Sequence, residues 1–330
     1  MSTLPVRSEQ FACRVCAEIV ECDIFQLKEM MYGSHEPFDY ARCGNCGCLQ
    51  IQEIPSDLAR HYPSDYYSQQ PRAEPAAPTG LKRFLMHWYC RSAVLHPDAP
   101  LHRTIRRLLP MPMDFATIGQ YLLEGRLRSA SDRILDVGSG ASPYRLAAMR
   151  RCGFATVEAI DPYLAADCVY EGVPVYRRVI EEVEGEFGMV MFHHSLEHVP
   201  DPVATLTHAA RLLRSGGTCL VRVPVMNTHF WRRFGGNWVE LDAPRHLHLF
   251  AAETMEVLAR RTGFRIRRTV FDSERWELTS SIQYEQGIPL RNAIGDKQFT
   301  ATELQGYAQE IAELNARSDA GRACFYLERI

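Results

Sequence analysis

Two short polar segments follow apolar runs of strand length, and their residue types suit ligand binding. The first is Asp136-Val-Gly138-Ser-Gly140, in which an acid precedes two glycines at alternate positions. Such a turn leads a buried parallel strand into a helix and leaves its backbone open to a ligand. A carboxylate there suits a cationic or polyhydroxyl ligand better than a bare pyrophosphate. The second segment ends in Asp161, whose carboxylate can accept hydrogen bonds from two ribose hydroxyls.

Histidines and a glutamate end another predicted strand, in the segment His193-His194-Ser-Leu-Glu197-His198. Ligands of open α/β sheets lie at the carboxyl ends of the strands, so we expect these side chains beside Asp136 and Asp161. Histidine is a suitable general base near neutral pH, which makes His194 a candidate base. Alternatively, this segment only begins a helix beside the ligand, with Glu197 bonded to the backbone.

A polar loop, Trp238–Phe250, follows the fifth predicted strand. Within it, Arg245 is a candidate for holding a substrate phosphate or carboxylate, because its planar fork matches either group. His246 and His248 are further candidate bases. Two alternatives stay open: a lid loop without a chemical role, and a metal site. The ligands of that metal site would be His194, His198, His246 and His248.

Cysteines are concentrated near the N-terminus, where six of the 11 fall within the first 48 residues. The pairs Cys13-x-x-Cys16 and Cys43-x-x-Cys46 have the spacing of a structural zinc ribbon, with four thiolates around one Zn²⁺. Clustered cysteines without a signal peptide or an apolar run of membrane-spanning length predict a reducing, cytoplasmic setting. Cys48 is a spare fourth ligand.

The composition is that of an ordinary globular protein, with 46% apolar residues, 23% charged residues and a net charge of −3. The chain lacks the overall excess of basic residues that is typical of nucleic-acid-binding proteins. Residues 81–110 are locally basic and begin with a predicted helix, Leu81–Leu95. Two interpretations of this span are open. It is either a helical arm that packs on the main domain or a surface that contacts an anionic membrane or an anionic substrate. The basic residues are Lys82, Arg83, Arg91, Arg103, Arg106 and Arg107.

Strands and helices alternate from Met113 onward, which predicts a largely parallel sheet covered on both faces. With Leu81–Leu95, six helices are predicted; the five after Met113 are Phe115–Gly125, Tyr144–Arg151, Ala204–Leu213, Thr254–Thr262 and Leu304–Asn315. The seven predicted strands are Arg133–Val137, Ala155–Ile160, Val173–Tyr176, Gly188–Phe192, Thr218–Val223, Phe264–Phe271 and Ala323–Arg329.

The ordered motifs together resemble those of class I S-adenosylmethionine-dependent methyltransferases. The matching segments are Ile134–Gly140, Asp161, Leu196-Glu-His-Val199 and Leu213-Arg-Ser-Gly-Gly217. The resemblance implies a Rossmann-like seven-stranded α/β sheet whose last strand is antiparallel. It also implies that Gly138 and Gly140 line the methionine part of the cofactor, beside Asp136, and that Asp161 binds the ribose. His194 and Glu197 are further expected cofactor contacts.

The cysteine pairs, a Tyr62-Pro-x-Asp-Tyr-Tyr67 patch and the Trp238-x-x-x-Asp-x-Pro-Arg-His246 segment narrow the resemblance. They are similar to bacterial zinc-ribbon methyltransferases of sugar, polysaccharide and secondary-metabolite pathways. Sugar C-methyltransferases of this kind usually carry a further C-terminal domain, so O-methylation of a sugar, nucleotide-sugar or glycan is expected. The predicted domains are a zinc ribbon (1–60), a linker with the basic arm (61–112) and the methyltransferase domain (113–330).

Three other functions remain as alternatives. A dinucleotide oxidoreductase would prefer a third glycine after Gly140, where this chain has Tyr144 or Arg145. An RNA methyltransferase would also combine a zinc module with this fold, although the chain is not basic overall. A catalytically silent partner protein would not need the intact acids and glycines.

Overall fold

The computed structural model describes residues 4–63, 79–100, 104 and 111–330. These residues form an eight-stranded α/β sheet and a smaller five-stranded antiparallel sheet. The α/β class predicted from the alternating pattern is confirmed. Parts of the predicted linker and arm, including Ser64–Tyr67 of the aromatic patch and Arg103, Arg106 and Arg107, lie outside the described residues.

The larger sheet has the strand order β12-β13-β10-β9-β5-β6-β8-β7. Five neighbouring strands, from β8 to β10, run parallel, whereas β13 is antiparallel between β10 and β12. This is the seven-stranded sheet that the resemblance implies, with an additional three-residue strand, β7, on its edge. Its strands are β5 (Ile134–Val137), β6 (Val157–Ile160), β7 (Cys168–Tyr170), β8 (Val173–Tyr176), β9 (Phe187–His193), β10 (Leu213–Pro224), β12 (Phe264–Phe271) and β13 (Arg322–Arg329).

The central strands are continuous apolar runs because helices cover both faces of the sheet. Every residue of β5 and of β9 is buried. The observed β10 begins at Leu213, five residues before the predicted start. The Ser215-Gly216-Gly217 turn is accommodated as an irregularity of this strand, where the pairing with β9 shifts between Leu213 and Thr218.

Eight α-helices belong to the described residues, and six of them correspond to predicted helices. Asp201 caps α4 by accepting a hydrogen bond from the backbone N–H of Ala204 at 2.9 Å, which stabilises the helix start. The sequence did not predict α5 or α7. The helices are α1 (Gly80–Leu95), α2 (Met113–Glu124), α3 (Tyr144–Arg151), α4 (Pro202–Leu212), α5 (His229–Phe234), α6 (Ala252–Arg261), α7 (Arg275–Glu285) and α8 (Ala301–Ala316).

The smaller sheet contains the N-terminal strands and one strand from much later in the chain. In β11, His248 pairs with Gln50 and Leu249 with Leu49. The loop after β10 therefore packs directly on the cysteine-rich segment. The strands of this sheet are β1 (Arg7–Ala12), β2 (Ile19–Lys28), β3 (Pro37–Cys43), β4 (Leu49–Ile51) and β11 (His248–Leu249).

Among the described residues, no helix combines the length and the apolar character needed to cross a bilayer.

Candidate active site and cysteine cluster

The turn after β5 has the backbone geometry that its glycines predict. Gly138 and Gly140 adopt positive φ values of 74° and 65°, a backbone conformation that residues with a Cβ atom rarely adopt. A Cβ atom on Gly138 would also lie 2.5 Å from Cβ of Ser195. The hydroxyl of Ser195 donates a hydrogen bond to the carbonyl of Val137 at 2.6 Å. The β5 turn and the end of β9 are thereby held in contact.

Asp161 joins the ends of β5 and β6. Its Oδ2 accepts a hydrogen bond from the backbone N–H of Gly140 at 2.9 Å, and its Oδ1 accepts one from Tyr163 at 2.9 Å. Burial raises the pKa of Asp161, and the two N–H donors oppose that rise. The carboxylate is partly exposed, so it keeps lone pairs for a ligand while it fixes the glycine turn.

Asp136 is the buried acid of this edge, with 3% of its surface exposed. Its Oδ1 has no hydrogen-bond partner among the described residues. Burial raises the pKa of Asp136 to about 7, against the attraction of Arg145. Buried polar atoms are almost always hydrogen-bonded, so this oxygen is where a ligand donor fits. The amino group of a methionine moiety is such a donor, and the residues present therefore fit S-adenosylmethionine.

His194 follows β9 and is held between two charged side chains. Its Nε2 lies 2.6 Å from Nη1 of Arg222, and its Nδ1 lies 3.3 Å from Oε1 of Glu197. Arginine can only donate, so Nε2 accepts and Nδ1 carries the proton. Burial, followed by the nearby Arg222, lowers the pKa of His194 well below its usual value, and the ring is neutral. Arg222 is held in turn by Asp272, at 2.6 Å.

Glu197, His198 and His246 form a second polar group near this edge. One nitrogen from each ring and one carboxylate oxygen all lie within 4.8 Å of one another. The two rings meet edge to face, with centroids 4.6 Å apart. Burial is the main cause that lowers the pKa of both histidines, to about 3 for His198, and it raises the pKa of Glu197. Both rings are therefore neutral at pH 7.

Arg245 is completely buried at the junction of the two sheets. Its guanidinium donates to Asp242 at 2.5 Å, to Glu29 at 2.8 Å and to the carbonyl of His61 at 3.2 Å. These contacts favour a structural role, because they leave few of its donors for a substrate. The contact with a substrate anion stays a prediction.

His248 is also completely buried, in β11. Its ring stacks on that of Phe250, with centroids 5.9 Å apart. Burial lowers the pKa of His248 to about 3. The residue lies on the smaller sheet and belongs to neither polar group at the edge of β9, so its position favours packing over proton transfer.

Cys13, Cys16, Cys43 and Cys46 converge, with all four sulfurs within 4.8 Å of one another. The Cys13–Cys46 and Cys16–Cys43 sulfurs are 3.6 and 3.7 Å apart. Sulfurs around a tetrahedral Zn²⁺ with bonds of about 2.3 Å lie roughly 3.8 Å apart, so the geometry fits zinc. The side-chain amide of Gln50 also donates to Sγ of Cys13 at 3.1 Å.

Three residues that shape these sites were not singled out from the sequence. Arg222 and Asp272 fix His194, and Glu29 receives Arg245. A lone arginine inside the apolar run Thr218–Val223 was an available signal for Arg222. Glu29 carries no such signal, because its partner lies 216 residues away.

Comparison with known proteins identifies the domain. A family model described as a methyltransferase domain matches residues 102–269, just over half of the 330 residues. A ubiquinone biosynthesis O-methyltransferase from Xanthomonas oryzae pv. oryzae is 35% identical over 133 residues. This match covers 37% of this chain and 50% of the relative. The ubiquinone biosynthesis O-methyltransferase from Xanthomonas axonopodis pv. citri is 36% identical over 135 residues, with the same coverage of both chains. The chain thus spans about half the length of these curated relatives.

The solved structures that match are more distant. A SAM-dependent methyltransferase from Archaeoglobus fulgidus shares 15% identity with a TM-score of 0.42, over 65% of this chain and 92% of that one. The fold is established by the strand order of the sheet itself. The chain belongs to the methyltransferase domain family, and its predicted class, an S-adenosylmethionine-dependent methyltransferase, is confirmed.

Proposed function

We propose that the chain transfers a methyl group from S-adenosylmethionine to a hydroxyl oxygen of a small-molecule acceptor. The observation that carries this proposal is the edge formed by Asp136 and Asp161, where an unpartnered buried carboxylate oxygen lies beside a turn fixed by the second acid. Asp136, Gly138 and Gly140 would hold the methionine part, and Asp161 the ribose. When bound, the cofactor supplies an electrophilic methyl group.

His194 and Glu197 were predicted as further cofactor contacts. His194 is partly exposed at the end of β9, whereas Glu197 is fully buried behind it. We propose that His194 borders the cofactor and that Glu197 lies on the buried side of the His194 ring and holds this ring in place. The 3.3 Å separation between Nδ1 of His194 and Oε1 of Glu197 supports this arrangement.

Methyl transfer to oxygen needs an acceptor aligned behind the methyl group and a group that receives or weakens the hydroxyl proton. We propose His246 for this role rather than His248 or His194. The Nδ1 of His246 donates to the carbonyl of Glu240 at 2.7 Å, which leaves Nε2 as a neutral proton acceptor. Arg245 would act as a positioning residue, because it fixes the loop that carries His246.

The acceptor predicted from the sequence is a sugar, nucleotide-sugar or glycan of polysaccharide or secondary-metabolite biosynthesis. The relatives named for ubiquinone biosynthesis favour another small molecule, an intermediate of that pathway. Both share a hydroxyl group and differ in the rest of the acceptor. An RNA acceptor finds no support in the net charge of −3.

The experiment uses purified protein, radiolabelled methyl donor and cell-extract fractions split into nucleotide-sugars, glycolipids, quinone precursors and RNA. Label in one of the three small-molecule or lipid fractions, reduced at saturating cofactor by His246→Ala but not by His248→Ala, supports the proposal. Label in RNA alone, or in no fraction despite cofactor binding, contradicts it. The second outcome would favour the catalytically silent partner protein.

We also propose that the four clustered cysteines hold one structural Zn²⁺, as in a zinc ribbon. Their sulfur separations and the Gln50 hydrogen bond support this assignment. Four thiolates leave no position for water, so the ion would stabilise the N-terminal sheet without taking part in methyl transfer. Cys48, the spare ligand of the sequence prediction, is outside the cluster found among the described residues.

The exposed face of α1 supports the predicted peripheral membrane contact. Leu81, Phe84 and Leu85 are 72%, 65% and 53% exposed, and Lys82 and Arg83 stand beside them. Apolar side chains with flanking cations suit an anionic bilayer surface. Co-sedimentation with anionic vesicles, weakened by Phe84→Ser, would support this contact, whereas no co-sedimentation of the wild type would contradict it.

A further inference from the structure

Two histidines near the cofactor edge share one hydrogen-bonding arrangement. Nδ1 of His198 lies 2.9 Å from the carbonyl of Arg245, and Nδ1 of His246 lies 2.7 Å from the carbonyl of Glu240. A carbonyl oxygen can only accept, so Nδ1 carries the proton in both rings. Each Nε2 therefore keeps its lone pair. Histidines that ligate metal ions typically donate their other ring N–H to a carbonyl or carboxylate in this way.

Glu197 completes the group from the neighbouring position in the chain. Its side chain is fully buried, and neither carboxylate oxygen has a hydrogen-bond partner among the described residues. An isolated buried carboxylate is costly, and a bound cation would stabilise it. His194 lies 3.3 Å from Oε1, held on its other side by Arg222. The imidazole of His194 therefore faces the carboxylate without forming a hydrogen bond to it.

We propose that Glu197, His198 and His246 bind one divalent transition-metal ion, at a site separate from the cysteine cluster. Two imidazoles and one carboxylate suit first-row ions such as Zn²⁺, Co²⁺ or Fe²⁺ better than Mg²⁺ or Ca²⁺. The set differs from the four histidines considered in the sequence. Neither His194, which is the more exposed neighbour of Glu197, nor His248, which lies on β11, belongs to this group of potential ligands.

Three protein ligands leave coordination positions open, as in catalytic rather than structural metal sites. If the proposed methyl transfer holds, the ion would bind the acceptor hydroxyl and make it more acidic. His246 would then assist the transfer as a ligand of the ion rather than as the proton acceptor, and the hydroxyl proton would pass to water. Acceptors with two adjacent oxygens would be favoured, because both oxygens can bind one ion. This consequence rests on the proposed function, whereas the binding of the ion does not.

The test is a titration with Co²⁺ of protein that carries one equivalent of Zn²⁺, enough for the cysteine cluster alone, followed by calorimetry and by visible absorption, with no cofactor or acceptor present. The wild type should bind one Co²⁺ per chain with a nitrogen and oxygen ligand spectrum. Thiolate charge-transfer bands would instead reveal exchange into the cysteine cluster. Glu197→Gln, His198→Asn and His246→Asn should each weaken this binding at least about tenfold. The asparagine amide preserves the Nδ1 donor and removes Nε2.

His229→Asn is the matched control, because His229 pairs with Glu310 away from this site, and its Co²⁺ affinity should equal that of the wild type. Circular dichroism selects the variants that fold. Absence of Co²⁺ binding outside the cysteine cluster in the wild type, or unchanged affinity in the folded Glu197→Gln and His198→Asn proteins, would overturn the proposal. Co²⁺ binding without methyl transfer would support the site and count only against the proposed function.

Discussion

The cofactor edge and the loop between β10 and β11 both contain buried charged groups, but they are assembled over different distances along the chain. At the cofactor edge, Asp161 contacts Gly140, 21 residues before it. In the loop, Arg245 contacts Glu29 across 216 residues, and the hydroxyl of Tyr40 donates to the carbonyl of His246 across 206 residues. The first region is a local turn at the ends of two adjacent strands. The second exists only when the two sheets have docked.

This contrast distinguishes groups that are available to bind a ligand from groups that hold the two sheets together. Asp136 retains an unpartnered oxygen at the cofactor edge, whereas the guanidinium of Arg245 is paired with two carboxylates and a carbonyl. Substitutions in the loop should therefore reduce stability most, and substitutions at the edge should reduce ligand affinity most.

Removal of metal from the cysteine cluster should have the largest effect. Chelation or Cys13→Ser should abolish the Zn²⁺ of this cluster and unfold the N-terminal sheet, a loss on the order of 10 kcal/mol if the ion contributes as in small zinc domains. Elemental analysis and circular dichroism measure both results. Cys22→Ser, a buried thiol outside the cluster, is the control and should retain the metal. Wild-type protein without zinc would disprove the ribbon.

Arg245→Met should have the next largest effect, because it leaves the buried Glu29 and the half-buried Asp242 without their cation. Loss of one partner from a buried ion pair costs about 3–5 kcal/mol. Urea unfolding measures the change. The control Arg232→Met removes an exposed partner of Asp319 and should cost no more than about 1 kcal/mol. Equal effects of the two substitutions would show that Arg245 does not hold the sheets together.

The smallest stability effect is expected at Asp136 and depends on pH. Burial raises its folded-state pKa to about 7, from an ordinary 3.8, so the folded chain keeps a proton that the unfolded chain releases. The contribution of this group to stability therefore falls as pH rises from about 4 to 7. Asp136→Asn should remove that fall and raise the melting temperature at pH 8 by a few degrees. The two proteins should melt alike at pH 4, and a difference there as large as that at pH 8 would contradict the assignment.

The sequence predicted those parts of the fold that depend on local pattern. β8 and β12 were predicted residue for residue, because each contains several aromatic or β-branched residues: valine and tyrosine in β8, and phenylalanine, isoleucine, threonine and valine in β12. Helix α7 was missed because its buried face includes Thr279, Ser280 and Ser281, which give no apolar period. Strand β11 has two residues and exists only through its pairing with β4.

The same division applies to the candidate sites. The positions of Asp136, Gly138, Gly140 and Asp161 followed from strand ends, which parallel sheets bring to one edge. The convergence of Glu197 and His198 with His246 did not, because it depends on how the loop folds back against the end of β9. The backbone N–H of Leu247 donates to the carbonyl of Glu197 at 2.8 Å and fixes that approach. No periodicity in the sequence encodes such a contact.

The most direct measurement for the central claim is calorimetry of S-adenosylhomocysteine binding to wild-type protein and to Asp161→Ala. We expect an affinity at least about tenfold weaker for the variant, a loss of roughly 1.4 kcal/mol, because the ribose hydroxyls lose their acceptor and the Gly140 turn loses its anchor. Asp57→Asn, which changes an exposed carboxylate near Arg60, should leave the affinity unchanged. An Asp161→Ala protein that folds and binds as tightly as the wild type would contradict a cofactor site across the ends of β5 and β6.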